Sequence, residues 1–132
     1  MKKLLALSIS LLMIASCSSA QREIQVGALS FDEYLPLLEG KRVSILSNQT
    51  GMVSSTTHLL DTLLDMGVNV VSIMSPEHGF RGKADAGEHV SSSIDPETGI
   101  PIRSLYESGV NRPSDESMAE FDVMVFDLQD VG

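Results

Sequence analysis

A glutamate and a histidine stand side by side in Pro76-Glu77-His78-Gly79, directly after an apolar run. Proline restricts the backbone before the pair and glycine relaxes it afterwards, which suits a side chain aimed into a cleft. A glutamate placed in this way is able to protonate a leaving group or activate water. His78 or Arg81 would then orient a substrate or stabilise negative charge. The alternative is a surface turn with a local ion pair.

Two more polar segments follow apolar runs. Asn48 and Gln49 carry amide groups that donate to and accept from sugar hydroxyls, although the segment is equally consistent with an ordinary turn. Asp127, Gln129 and Asp130 follow a later apolar run and add carboxylates, although acids at strand ends are often only solvated. These residues are predicted to bind substrate.

Metal and nucleotide sites are not predicted. Glu77, His78, Asp85, Glu88 and His89 fall within one segment, but their spacing matches no HExxH or Cys/His zinc pattern. Adjacent side chains on an extended segment also point apart. The first turn has no G-x-G-x-x-G, and no P-loop lysine is present. We therefore expect no metal and no cofactor.

The elements that position these turns follow from the apolar pattern. Residues 42–47 form a β-prone run, and residues 68–74 form a second one. Between them, Ser54 or Ser55 is predicted to cap a helix that ends at Gly67, with His58 as an ordinary surface residue of that helix. The pattern predicts a parallel, right-handed βαβ unit.

Other segments complete half of a doubly wound α/β sheet. The apolar residues of 31–38 recur at helical spacing, which predicts a short helix. Ser114 is predicted to cap another short helix that extends to Phe121. Residues 76–113 are loop-like, with a short extended or helical piece at 100–106, and residues 122–128 form a third strand. Because ligands bind at the carboxyl ends of parallel strands, the three polar turns should line one edge. The sequence stops just after the third strand, so we expect a fragment.

The first residues are typical of a bacterial lipoprotein signal. Two lysines precede a short apolar stretch, and residues 1–16 end before Cys17, the sole cysteine. We predict lipidation of Cys17 and a membrane partner through that anchor. Residues 17–30 are small and polar, which is typical of a tether. The expected location is the cell envelope, on the periplasmic or outer face of a bacterial membrane.

The charge of the chain argues against nucleic acid as a partner. The net charge is −9, and without residues 1–16 the seven basic and eighteen acidic residues give 7 − 18 = −11. Binding to a phosphate backbone requires clustered Lys and Arg, which this sequence lacks.

Five ordered motifs resemble those of the exo-β-N-acetylmuramidases, the NamZ-type glycoside hydrolases formerly classed as a domain of unknown function. The motifs are SNQTG, PEHGFRG, GEHV, DPETGIPIRSLY and FDLQDVG, and the resemblance covers residues 41–132. It implies a Rossmann-like parallel sheet with flanking helices, of which residues 31–132 would be the N-terminal part, truncated after the third strand. It also implies an envelope enzyme that removes non-reducing-end N-acetylmuramic acid from peptidoglycan fragments.

The resemblance carries specific roles onto this sequence. Glu77 is the implied catalytic carboxylate, and the implied sugar-lining residues are Asn48, Gln49, His78, Arg81, Gln129 and Asp130. Glycoside hydrolysis usually needs a second carboxyl group. That group is Asp127, Asp130 or a residue beyond Gly132. Two alternatives remain open: a non-catalytic envelope module that binds muropeptides, and a metal-dependent hydrolase.

Overall fold

The computed structural model describes residues 24–76, 79–82, 92–105 and 112–129. Within these ranges, a 3-10 helix at Gly27–Leu29 precedes three α-helices and five β-strands. The helices are α1 (Phe31–Leu38), α2 (Leu59–Asp65) and α3 (Asp115–Met118), and the strands are β1 (Val43–Ser47), β2 (Val70–Ser75), β3 (Ser93–Ile94), β4 (Pro101–Ser104) and β5 (Val123–Asp127). Within the described ranges, no helix is long and apolar enough to span a membrane.

The five strands form one sheet in the order β3-β4-β2-β1-β5. Strand β1 pairs in parallel with both β2 and β5, and β2 pairs in parallel with β4. Only the short edge strand β3 runs antiparallel, to β4. The predicted α/β class and the parallel βαβ unit are confirmed. The predicted three-strand sheet was wrong in number, because the segment predicted as loop-like at 76–113 contributes β3 and β4.

One hydrophobic core lies between helices α1 and α2 and the sheet. Its central side chains alternate along β1, where Val43 and Ile45 face the helices. Helix α2 contributes three buried leucines, Leu59, Leu60 and Leu63. All five residues of β1 are buried, as expected of a parallel strand covered on both faces.

Helix α2 ends where the sequence predicted. Gly67 has a φ of 80°, its N–H donates to Leu64 O, and Val68 N–H donates to Leu63 O. These two bonds form a Schellman motif, which requires a left-handed residue and therefore favours glycine. Helix α1 ends differently, in a type II turn: Glu39 has φ −59° and ψ 126°, Gly40 has a φ of 68°, and Lys41 N–H donates to Leu38 O at 3.1 Å.

The start of α2 differs from the prediction. Neither Ser54 nor Ser55 is its cap, because the helix begins at Leu59 with His58 as the N-cap residue. The hydroxyl of Ser54 instead accepts from the N–H groups of Thr56 and Thr57 and so closes a turn outside the helix.

Residues at both ends of the described chain also refine the prediction. The 3-10 helix lies inside the segment predicted as a tether, and Ala28 packs partly against the core. Ser114 caps α3 as predicted, with its hydroxyl accepting from Ser117 N–H at 3.1 Å, but the helix ends at Met118. The predicted third strand is β5.

Candidate active-site edge

The strand order reverses at β1, between β2 on one side and β5 on the other. From β1 the chain passes to β2 and β4 on one side, and it then returns to β5 on the other side of β1. Ligands in open α/β sheets bind at such a reversal of strand order. The register places the last residues of the two strands, Ser47 and Asp127, directly beside each other. We call this region the switch edge.

The first polar turn at the switch edge is held by hydrogen bonds within the turn, two of them to the Asn48 side chain. Asn48 Oδ1 accepts from Thr50 N–H at 2.9 Å and from the Thr50 hydroxyl at 2.7 Å. The Asn48 carbonyl accepts from Gly51 N–H at 3.1 Å. The bonds that the two Asn48 oxygens accept therefore fix the orientation of this residue. Its side-chain amide N–H groups have no partner among the described residues.

His58 is not a surface residue as the sequence predicted. Its side chain is 4% exposed, and its Nδ1 accepts from Leu60 N–H at 3.1 Å. That bond leaves the proton of the neutral ring on Nε2, which donates to Asn48 O at 2.8 Å. The ring also meets Phe80 edge to face, with centroids 4.7 Å apart. His58 therefore joins helix α2 to the first and second polar turns.

The second polar turn is anchored by a buried ion pair. Arg81 donates from Nε and Nη2 to the two carboxylate oxygens of Asp95 at 3.0 and 2.9 Å, and Asp95 is fully buried. Asp61 and Glu97 also approach the guanidinium, at 3.5 and 3.4 Å. Hydrogen bonding to Asp95 raises the pKa of Arg81 although burial opposes this. Because three carboxylates surround its guanidinium, the main role of Arg81 in the described structure is to anchor this turn.

Burial alone would raise the pKa of Asp95. Hydrogen bonds from Arg81 and Thr98, together with the Arg81 charge, outweigh burial and hold that pKa below its usual value. Removing one partner of a buried charge pair typically costs about 3–5 kcal/mol, because the other charge is left uncompensated. The pair thus holds the residues after β2 against the segment that leads to β4.

The first and second turns touch each other through Gln49 and Gly82. A Cβ added to Gly82 would lie 2.9 Å from Gln49 Cγ, and the φ of Gly82 is 65°. A glycine is therefore required here both by its backbone conformation and by the close approach of Gln49. The sequence predicted that these turns share an edge, and this contact confirms that they meet.

The third group contains a carboxylate with a missing partner. Asp127 Oδ2 is buried without a hydrogen-bond partner, a situation not found for any other side chain that the structure describes. Leaving such an atom unsatisfied costs about 1–3 kcal/mol. Gln129 follows at the same edge and is exposed.

The chain at Gly51 passes too close to that carboxylate to leave room for a side chain. A Cβ on Gly51 would lie 2.3 Å from Ser47 Oγ, 2.8 Å from Asp127 Oδ2 and 3.0 Å from His58 Nε2. Three polar atoms therefore converge on one point at the switch edge, and only glycine fits there. Burial and then the Asp127 charge raise the pKa of Tyr34, which places this tyrosine of α1 near the same carboxylate.

Two of the grooves on the described part of the chain lie beside helix α1. The larger, of about 580 Å³, lies between α1 and the residues preceding β2, and Gly40 and Asn69 mark it as belonging to the amino edge of the sheet. The smaller, of about 410 Å³, runs along β5 to Asp127 and includes Tyr34 and Leu59. The smaller groove is lined by all five residues of β5, so it follows that strand from its amino end to its carboxyl end, where it reaches the switch edge at Asp127.

Several predicted residues lie outside the described part of the chain. These are Glu77, His78, Asp130 and Cys17, together with Asp85, Glu88 and His89 of the excluded metal site. The neighbours Pro76 and Gly79 are described, and Gly79 N–H donates to Pro76 O at 3.3 Å. Among the described residues there is no group of three or more potential metal ligands from His, Cys, Asp and Glu.

Sequence reasoning missed three residues of this edge. From the sequence, Ser47 is expected to be the last residue of a strand and Asp95 an ordinary polar loop residue. His58 is expected at the surface of a helix. One available signal was Asp95-Pro96 followed by Thr98-Gly99, because such a sequence favours an aspartate that accepts from a nearby backbone N–H. The structure shows this bond from Thr98 N–H at 3.1 Å.

Known proteins are similar to this chain in sequence and in fold. Residues 43–132 match the family model of the N-terminal region of exo-beta-N-acetylmuramidase NamZ. The peptidoglycan beta-N-acetylmuramidase NamZ of Bacillus subtilis is 38% identical over 101 residues, which cover 76% of this chain and 24% of that protein.

Two crystal structures of DUF1343 family proteins from Bacteroides fragilis are also similar. One has a TM-score of 0.67 and 45% identity over 83% of this chain and 27% of that one. The other has a TM-score of 0.65 and 35% identity, covering 76% of this chain and 24% of that one. The chain thus spans about a quarter of the length of these relatives.

Proposed function

We propose, from the premise that this chain belongs to the NamZ exo-β-N-acetylmuramidase family, that it contributes to an exo-acting glycoside hydrolase. The family membership supports a hydrolase acting on peptidoglycan. The proposed reaction is release of non-reducing-end N-acetylmuramic acid from peptidoglycan fragments during cell-wall turnover.

The observation that carries the proposal is the convergence of polar turns at the switch edge. Gln49 contacts Gly82, and Gly51 adjoins Asp127, so residues at the carboxyl ends of β1, β2 and β5 lie together at one edge of the sheet. Amide and carboxylate groups on such an edge match the many hydroxyls of a sugar. The described part of the site is thus suited to a hydrogen-bonding substrate such as a sugar.

Glu77 is the proposed general acid or base. In the sequence it lies with His78 between Pro76 and Gly79, which follow β2 at the carboxyl edge of the sheet. His78 and Asp130 are proposed to contact the sugar, together with Asn48, Gln49, Gln129 and Asp127. For Arg81 we propose an indirect role, because its guanidinium is held by Asp95.

The second carboxyl group has two candidates within this chain, Asp127 and Asp130. Retaining and inverting glycosidases differ in the distance between their two carboxyl groups, so this choice also bears on the stereochemical course. The longer relatives contain further sequence that this chain does not cover.

The test is release of N-acetylmuramic acid from a MurNAc-GlcNAc disaccharide by the complete open reading frame that carries this sequence. Glu77→Gln should lower the rate at least about 100-fold, the scale of removing a general acid or base. Glu39→Gln, an exposed change after α1, is the matched control and should retain the parent rate.

Each other result points to a different function. Release that survives Glu77→Gln would move catalysis to another carboxylate. A folded parent that binds the disaccharide without cleaving it would favour a muropeptide-binding module. Loss of activity on chelation would favour a metal-dependent hydrolase.

The proposed location is the bacterial envelope, with the protein anchored through lipidated Cys17. Support comes from the lysines and short apolar stretch that precede this sole cysteine. Cys17→Ser should move the protein from the membrane fraction to the soluble fraction of the cell. Retention in the membrane fraction would contradict the anchor.

A further inference from the structure

Both oxygens of Asn48 are occupied by hydrogen bonds within the protein. The backbone oxygen accepts from Gly51 N–H at 3.1 Å, from His58 Nε2 at 2.8 Å and from the Ser47 hydroxyl at 3.3 Å. The side-chain oxygen accepts from the backbone N–H and the hydroxyl of Thr50, at 2.9 and 2.7 Å. Because a backbone N–H only donates, its bond also identifies which atom of the amide is Oδ1 and which is Nδ2.

The turn accounts for the oxygen of the Asn48 side chain but not for its nitrogen. An aspartate or a serine would also accept from Thr50 N–H at this position. The N–H groups of Asn48 Nδ2 have no partner among the described residues, and the nitrogen is not a buried atom, so solvent reaches it. Asn48 therefore presents donors to a ligand and has no side-chain acceptor left to offer.

Asn48 lies where the strand order reverses. It follows β1 directly, and β1 has β2 on one side and β5 on the other. Ligands of open α/β sheets bind at this point, outside the carboxyl ends of the strands. The next residue, Gln49, contacts Gly82 of the second turn. A donor that is already fixed at this place favours binding, because little conformational freedom is lost when a ligand accepts from it.

A group that only donates is best matched by an oxygen that only accepts. A ring hydroxyl that accepted from Asn48 would still carry its own O–H, for which this side chain has no free acceptor. Carbonyl and carboxylate oxygens have no such proton. N-acetylmuramic acid has both kinds, an acetamido carbonyl and a lactyl carboxylate. The guanidinium of Arg81 is already surrounded by three carboxylates, which makes it less available to these oxygens.

Resting on the proposed function, we propose that the Asn48 amide donates a hydrogen bond to an acceptor-only oxygen of N-acetylmuramic acid, its acetamido carbonyl or its lactyl carboxylate. This contact determines specificity for the sugar over sugars that offer hydroxyl groups alone. Thr50 is a positioning residue, because its two bonds hold Asn48 Oδ1. His58 has the same role for the backbone of Asn48.

The experiment measures the affinity of the complete open reading frame for N-acetylmuramic acid by calorimetry. Asn48→Ser keeps an acceptor for Thr50 N–H but removes the amide, and it should weaken binding about 3- to 100-fold. Asn48→Asp also keeps the acceptor but replaces the donors by a negatively charged oxygen. If the ligand oxygen belongs to the carboxylate, charge repulsion should make the loss for Asn48→Asp at least about tenfold larger than that for Asn48→Ser. If it belongs to the acetamido carbonyl, the two losses should be similar.

Matched controls separate binding from folding. Asn69→Ser and Asn69→Asp make the same changes at an exposed residue before β2, at the amino edge of the sheet, and should bind the sugar as the parent does. Thr50→Val removes the hydroxyl bond to Oδ1 and should weaken binding less than Asn48→Ser, and the conservative Thr50→Ser should restore it. The urea midpoint of Asn48→Asp should stay within about 0.5 M of the parent, because the turn keeps its acceptor.

Three results would overturn the inference. Binding of the sugar by Asn48→Asp as tightly as by the parent would mean that a hydroxyl donates to this position. A loss below about twofold for Asn48→Ser would mean that the amide makes no contact. A fall of the urea midpoint by more than about 0.5 M in both Asn48 variants would assign the side chain to folding instead.

The same measurements distinguish this inference from the proposed function. If the parent releases N-acetylmuramic acid from the disaccharide and Asn48→Ser binds the sugar as the parent does, the inference fails and the function stands. If the parent binds the sugar with the predicted dependence on Asn48 but releases nothing, the function fails and the inference stands. A folded parent that does not bind N-acetylmuramic acid contradicts the inference directly.

Discussion

Replacing His58 with alanine removes the ring that joins three parts of the switch edge. The ring caps α2 through Leu60 N–H, donates to Asn48 O and meets Phe80 edge to face. Since His58 is only 4% exposed, neither water nor a neighbouring side chain replaces these contacts without rearrangement. Stability should therefore fall well beyond the level of a surface substitution.

The size of the effect follows from the three contacts. Loss of an N-cap costs about 1 kcal/mol. A lost hydrogen bond adds about 1 kcal/mol, and a lost aromatic pair adds about 1 kcal/mol. Together they lower the free energy of unfolding by about 3 kcal/mol. With a urea dependence of about 1.5 kcal/mol per molar, the unfolding midpoint should fall by about 2 M.

The assay is urea-induced unfolding followed by circular dichroism. His58→Asn restores a good capping side chain and should recover about 1 kcal/mol of the loss. Ser55→Ala, a change at an exposed residue before the helix, should remain within about 0.5 kcal/mol of the parent. A midpoint shift of His58→Ala below about 0.5 M, or a Ser55→Ala effect of equal size, would refute the assignment of His58 as the cap.

Two further predictions concern the second turn. Gly82→Ala and Gly99→Ala both place a side chain at a positive φ, of 65° and 75°, which costs about 1–2 kcal/mol, but only the first displaces Gln49. Urea unfolding should show the larger loss for Gly82→Ala, and equal losses would argue against the Gln49 contact. Because the pKa of Asp95 is lower in the folded protein than its ordinary value of 3.8, the ionised carboxylate stabilises the fold at pH values above 3.8. This contribution is lost as the pH falls through the lower pKa of the folded state. The urea midpoint of the parent should therefore fall steeply below about pH 4. The midpoint of Asp95→Asn should be lower than that of the parent at neutral pH and should fall less steeply with pH. Parallel pH curves for the two proteins would contradict the role of Arg81 in stabilising the charge.

Several elements were predictable because their signals are local. The β-prone runs became β1 and β2, and the glycine after the leucine-rich helix adopts the left-handed conformation that its position required. The short strands at Ser93–Ile94 and Pro101–Ser104 were missed or left open, because two to four residues carry too little periodicity to separate a strand from a loop. Strand β4 pairs with β2, which is distant in sequence, and β3 pairs with β4.

The cap of α2 shows how tertiary contacts override a local preference. Ser54 and Ser55 are favourable capping residues by type, and histidine is not a member of the preferred set. The structure nevertheless uses His58, because its second ring nitrogen reaches Asn48 O and its face meets Phe80. Neither partner is visible as a neighbour of His58 in the sequence.

The sequence by itself determined the family, the α/β class and the presence of polar turns after the main strands, because these depend on residue order and local periodicity. Only the tertiary structure decided that β5 lies against β1 rather than beyond β4. That order places Asp127 beside Ser47 and Gly51 and leaves its Oδ2 without a donor. Periodicity states which face of a strand is buried, whereas the neighbour of that strand is chosen by packing over the whole sheet.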